Sequence, residues 1–227
     1  MSQQNAIIES WMENANNWIA TIDNTEIESR KLSTNKAIIN AVLSYQVSII
    51  LDIGCGEGWL TRELRKKGKQ SYGVDVVPGL IENAIAKDGE YYQVHSYKEL
   101  SEGVPLMLPS FDAVVVNFAL IDKEDTEALI NSLYRYLVKE GMVFIQTLHP
   151  AAATDEYISG WKEGSWNGMK RDFTKPYQWY FRTLSDWIKL FSEAGLNVME
   201  IKEPVHPESK RPLSVIFVLQ NTNSNQG

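Results

Sequence analysis

The segment Ile50-Leu-Asp-Ile-Gly-Cys-Gly-Glu-Gly58 constrains the fold of this chain more than any other. A β-branched run, Val47–Ile53, reads as a fully buried strand, followed at once by glycines at 54, 56 and 58 and then by a helical stretch over Trp59–Lys67. Glycines at alternate positions let the backbone approach a ligand closely. A sharp strand-to-helix turn also aims free N–H groups above the carboxyl edge of a sheet, where open α/β sheets bind their ligands.

The rest of the chain supplies such a sheet. Gln70–Val76 reads as a second strand, Tyr91–Val94 as a third and Phe111–Asn117 as a fourth, with Met142–Thr147 after them. Helical spacing fills the gaps. Pro78 opens a helix with Leu80, Ile81, Ala84 and Ile85 on one face, and a helix over about Lys123–Lys139 turns Leu129, Ile130, Leu133 and Leu137 inward. Thr183 and Asp186 are spaced as a capping box for a last helix that stops at Gly195, before strands at Asn197–Ile201 and Leu213–Leu219. Strands alternating with helices demand a parallel sheet with helices on both faces.

The turn also selects its ligand. In a dinucleotide fingerprint the third glycine comes one residue later than here, and an acid, Glu57, sits where a pyrophosphate would bind. Glu57 reads equally well as a first-turn acid, favourable at any helix N-terminus. No Gly-Lys-Ser/Thr is present, which excludes a triphosphate loop. Asp52 favours a ligand with positive charge. Asp75 lies 23 residues further on, at the end of the second strand, where a carboxylate accepts both hydroxyls of a ribose. A nucleoside carrying a cation is the implied ligand.

At these residues the chain resembles the class I S-adenosylmethionine-dependent methyltransferases. The motifs are LDIGCGEG, GVDVV and FDAVVVNFALI, and the resemblance runs from about Ala37 to Leu219. It implies a Rossmann-like α/β fold with a seven-stranded, mostly parallel sheet, its last strand, Leu213–Leu219, inserted antiparallel beside the fifth. It implies S-adenosyl-L-methionine as cofactor and S-adenosyl-L-homocysteine as product. Asp52 would then lie near the methionine amino group and Gly54, Cys55, Gly56 and Gly58 along the cofactor. Asp75 would take the ribose, Val76 the adenine and Asn117 the methionyl part, with Phe118 to Leu120 beside the methyl. Many members place an Asp after the third strand; the resemblance then implies that Ser96, or a backbone group, would take that contact here. The Trp-Tyr-Phe-Arg-Thr-Leu-Ser-Asp and Thr-Leu-His-Pro stretches resemble small-molecule enzymes of the ubiquinone and menaquinone methylase type.

Between Pro150 and Arg182 the regular alternation fails. Eight aromatic residues from Tyr157 to Phe181 crowd into about twenty-five positions, where the chain average of 11% gives about three. This stretch, 150–182, is expected to be a lid over the acceptor pocket, although exposed aromatics also mark dimer contacts. His149 follows the fifth strand at the sheet edge, where a neutral imidazole can take a proton from an acceptor, so it is the candidate general base. Ile7, Ile8, Trp11, Ala15, Trp18 and Ile19 fall at helical spacing, and residues 1–46 read as a helical cover. Arg30 is a possible partner for the methionine carboxylate.

Composition narrows the partners. With 29 acidic and 22 basic residues the formal charge is −7, which argues against a nucleic-acid surface. One cysteine permits no internal disulfide and no cysteine-based metal cluster; no metal site is expected. No apolar run reaches membrane-span length and Met1–Ser10 lacks a leader pattern, so the expectation is one cytoplasmic domain over 1–219, monomer or homodimer, with a disordered tail at 220–227. The expected partner is a small-molecule methyl acceptor. The rival readings are an RNA or protein methyltransferase with the same cofactor half, a cofactor-binding protein without turnover and, last, a nicotinamide oxidoreductase.

Overall fold

Strand β1 (Ile49–Ile53) is covered on both faces: Leu51 and Ile53 pack into one apolar layer and Ile50 into the other. That period-2 partition sets the architecture of the computed structural model, which describes residues 3–153 and 156–223. Along the chain β1 is followed by α4 (Trp59–Lys66), β2 (Gln70–Asp75), α5 (Pro78–Asp88), β3 (Tyr92–Val94), α6 (Tyr97–Glu102), β4 (Phe111–Asn117), α7 (Glu124–Ser132) and β5 (Leu137–Leu148). Helices α1 (Gln3–Glu13), α2 (Ala15–Asp23) and α3 (Asn35–Leu43) precede it, with a π-helical turn at Arg30–Thr34. A short helix α8 (Pro150–Ala153), a two-stranded ribbon of β6 (Gly160–Lys162) and β7 (Trp179–Phe181), helix α9 (Leu184–Glu193) and strands β8 (Leu196–Lys202) and β9 (Ser214–Asn221) complete it.

The main sheet has seven strands in the order β3-β2-β1-β4-β5-β9-β8. Strands β1 to β5 are parallel, and β9 runs antiparallel between β5 and β8, as the resemblance implied. Because β2 and β3 lie on one side of β1 and β4 on the other, the strand order reverses between β1 and β4. A crevice opens there at the carboxyl ends, above the glycine turn. One face of the sheet carries Leu100, Leu129, Leu133, Trp187 and Phe191 from the α6, α7 and α9 region; the other carries Ile38, Val42, Leu60 and Leu64 from α3 and α4.

Four boundaries differ from expectation. The first helix breaks at Asn14, whose amide donates to the carbonyls of Ser10 and Thr174 and accepts the Thr174 N–H. The helix expected to reach Lys139 stops at Ser132; a 3₁₀ turn follows and β5 begins at Leu137. Leu133 and Leu137 are buried as expected, but a register shift between Phe111 and Ala113 carries the chain through the bend at Glu140 and Gly141 back into the ladder. Helix α6 was missed, though Ser96 and Glu99 close a capping box at its start. The expected tail begins late, since Gln220 and Asn221 complete β9 and the Asn223 amide donates to the Ala194 carbonyl; residues 224–227 lie outside the described region. Among the described residues no helix is long and apolar enough to cross a membrane.

Candidate active site

The glycine turn is held in a conformation that side chains resist. Gly54, Gly56 and Gly58 have φ of +70°, +58° and +81°. A Cβ on Gly54 would lie 2.4 Å from Ala119 Cβ, so the loop after β4 abuts this turn directly. Gly58 instead packs on the ring of Tyr92 and starts α4. Beneath the turn, the Asp75 carboxylate accepts the Gly56 N–H through Oδ2 and the Val77 N–H through Oδ1, each at 2.9 Å. Burial pushes the Asp75 carboxyl up while those N–H groups pull it down.

Above the turn lies a cavity of about 650 Å³, within the range of small-molecule sites. Gly54, Cys55, Gly56, Asp75, Val76, Ser96, Asn117 and Phe118 all line it. The Asn117 Oδ1 is buried without a hydrogen-bond partner among the described residues. Ser96 caps α6, its hydroxyl exchanging hydrogen bonds with Glu99. Burial pushes the Cys55 thiol well above its ordinary value, which leaves it inert beside the backbone.

Three expected residues do not reach the wall. Asp52 shares the face of Ile50, points under α4 and accepts a hydrogen bond from the Thr61 hydroxyl at 2.7 Å; burial raises its carboxyl to about 7. Gly58 serves the strand-to-helix junction. His149 is buried away from the wall, with Nδ1 accepting the Ala151 N–H at 3.2 Å and Nε2 facing Glu203 Oε1 at 2.7 Å. A ring accepting at Nδ1 carries its proton on Nε2, so no lone pair is left for a substrate proton. Glu57 also turns away, its carboxylate within 2.6 Å of Arg62 and 2.9 Å of Lys87.

The cavity is closed by two distant parts of the chain. Ile7, Ile8, Trp11 and Trp18 come from α1 and α2, and Trp166, Tyr177, Trp179, Tyr180 and Phe181 from the irregular stretch. They are joined over the cavity: Trp11 Nε1 donates to the Tyr177 hydroxyl at 3.1 Å, Trp166 Nε1 to Ser10 Oγ at 3.0 Å, and the Trp11 and Trp166 rings meet edge-on at 4.9 Å. The ion pairs Arg171–Glu26 and Lys175–Glu13 continue the seam. Arg30 sits on the wall with its guanidinium 4.6 Å from the Trp59 ring and 5.7 Å from Trp18; Nη2 is buried without a partner among the described residues.

Sequence reasoning missed Asp122 and Arg182, both on the wall. Asp122 gave no motif signal, although an acid two residues before a helical stretch is a capping cue. Arg182 sits inside the Trp-Tyr-Phe-Arg stretch, but its bonds to the carbonyls of Asp122 and Lys123 span about sixty residues and no local pattern announces them.

Comparison with known proteins agrees with this arrangement. Residues 28–201 match the Methyltransferase domain family. An uncharacterized methyltransferase of Geobacillus sp. (strain WCH70) is 28% identical over 85% of this chain and 89% of its own length. A ubiquinone biosynthesis O-methyltransferase of Xanthomonas oryzae pv. oryzae is 29% identical over 66% of the chain, which spans only 64% of that relative. Among solved structures, an S-adenosylmethionine dependent methyltransferase of Mesorhizobium loti shares the fold at a TM-score of 0.62, with 19% identity over 81% of this chain and 95% of its own. A 1,6-didemethyltoxoflavin-N1-methyltransferase of Burkholderia thailandensis, solved with 1,6-didemethyltoxoflavin and S-adenosylhomocysteine bound, does so at 0.66, with 15% identity over 97% of this chain and 89% of its own. The glycine turn, the strand order and the matched domain together make the chain a member of the class I S-adenosylmethionine-dependent methyltransferase family.

Proposed function

We propose that this enzyme methylates a small molecule in the cavity above the glycine turn, with the cofactor held by Gly54, Cys55, Gly56, Asp75, Val76, Asn117 and Phe118. The observation that carries the reading is the union of two features: a turn at positive φ braced by Asp75, opening directly into an aromatic-walled cavity. The residues fit S-adenosylmethionine. The Asp75 carboxylate, held by backbone N–H groups, faces the cavity as an acceptor for a ribose hydroxyl, and among the described residues Asn117 Oδ1 lacks a partner beside the expected methionyl end and Arg30 Nη2 is an unpaired donor for a carboxylate.

When bound, the cofactor would supply an electrophilic methyl on a sulfonium for an acceptor lone pair, with the thioether as leaving group. The chain's own contribution is placement and exclusion of water. Trp11, Trp18 and Trp166 close the top, and the loop at Phe118 to Leu120 forms the floor beside the turn. The concave, aromatic-walled form of the cavity and the acidic charge of the chain support a small acceptor over a nucleic acid. One relative is named a ubiquinone biosynthesis O-methyltransferase and one structural neighbour holds 1,6-didemethyltoxoflavin, which favours the same reading.

Thermal denaturation tests it. S-adenosylhomocysteine is expected to raise the melting temperature and NAD to leave it unchanged; the reverse pattern overturns the cofactor reading.

A further inference from the structure

The acceptor end of the cavity has a definite charge. The cavity as a whole is lined by four acids, Asp75, Asp122, Asp125 and Glu163, and two cations, Arg30 and Arg182. Asp75 and Arg30 belong to the cofactor end. Arg182 is engaged by the protein itself: Nη1 donates to the Asp122 carbonyl, and Nη2 to the Lys123 carbonyl and to Glu127. Its guanidinium is also stacked 4.7 Å from Tyr180 and 5.1 Å from Trp187. Among the described residues no further cation lines the cavity, and burying an unpaired carboxylate or phosphate beside three acids is costly.

Asp122 is the most deeply placed of those three acids. It is 8% exposed, and its Oδ1 accepts the N–H groups of Asp125 and Thr126 at the start of α7. Its Oδ2 makes no hydrogen bond among the described residues. Burial raises this carboxyl to about 6, so it is ionised at neutral pH and available as an acceptor. The rings of Trp166, Trp179 and Tyr180 line the same cavity. Such faces attract flat π-systems and positive charge.

We propose that the methyl acceptor is a planar aromatic molecule without negative charge that carries an N–H donor, seated between these rings with the donor on Asp122 Oδ2. The proposal rests on the methyltransferase reading of the same cavity and narrows it to a substrate class.

Calorimetric titration of the protein saturated with S-adenosylhomocysteine tests it with matched probes. Tryptamine is expected to bind about tenfold or more tightly than indole-3-acetate, and 3-methylindole more tightly than 1,3-dimethylindole, which lacks the N–H. Asp122→Asn is expected to reduce the tryptamine preference to within about threefold while melting temperature and S-adenosylhomocysteine affinity hold, because Asn caps a helix as well as Asp. Indole-3-acetate binding as tightly as tryptamine, a preference that survives Asp122→Asn, or no binding of any probe overturns the proposal. Failure of S-adenosylhomocysteine itself to bind registers separately, in the first titration, as failure of the cofactor reading.

Discussion

The Asp75 carboxylate holds the Gly56 N–H at 2.9 Å, tying the end of β2 to the turn that follows β1. The bond fixes the turn and leaves the carboxylate facing the cavity. Asp75→Ala is expected to weaken S-adenosylhomocysteine binding by about 2–3 kcal/mol, roughly a hundredfold in Kd, through the loss of charged hydrogen bonds. Calorimetry gives the affinity and circular dichroism checks the fold. An unchanged Kd removes the ribose assignment.

Arg30 is held between two indoles with Nη2 unpaired, and burial lowers its guanidinium to about 10, still charged at neutral pH. If it binds the methionine carboxylate, Arg30→Met weakens S-adenosylhomocysteine about tenfold or more and leaves 5′-methylthioadenosine, which has no carboxylate, nearly unaffected. Equal losses for both ligands assign Arg30 to packing alone.

Asp52 gives a pH signature. Burial, aided by the charge of Asp75, lifts its carboxyl from 3.8 to about 7 in the folded protein. The folded state then keeps a proton that the unfolded chain releases, so the contribution of this group is full below pH 3.8 and is lost as pH rises through about 7. Asp52→Asn keeps an acceptor for Thr61 and removes the titration. Its stability relative to the parent, from urea unfolding, is expected to climb between pH 4 and pH 7; parallel curves contradict the assignment.

His149→Ala addresses the candidate base. With one nitrogen bound to Ala151 and the other facing Glu203, the ring organises the chain after β5. Substitution is expected to lower the melting temperature, with any loss of kcat far short of the hundredfold or more that a general base supplies. A loss of that size at unchanged cofactor affinity restores His149 as the base.

The parts of the site that lie close in sequence were legible. The glycine turn and Asp75 are adjacent strand ends in a parallel pair, so their spacing carries their geometry. Strand parity sets Asp52 on the side of Ile50 and under α4, off the cavity wall, a placement that the spacing of the motif does not carry. The break at Asn14 depends on Thr174, 160 residues away, and the closure of the cavity by Trp11 and Tyr177 spans 166; no local periodicity contains such pairings. Leu133 and Leu137 point inward whether the chain is helical or turns into a strand, so the end of α7 was hidden from a hydrophobic pattern.

Crystals soaked with S-adenosylhomocysteine give the most direct check of where the nucleoside sits. Density for its ribose on Asp75 and its amino-acid end beside Asn117 and Arg30, under Trp11 and Trp166, is the predicted result. A nucleoside bound elsewhere, or a crevice that stays closed by the protein's own side chains, contradicts it.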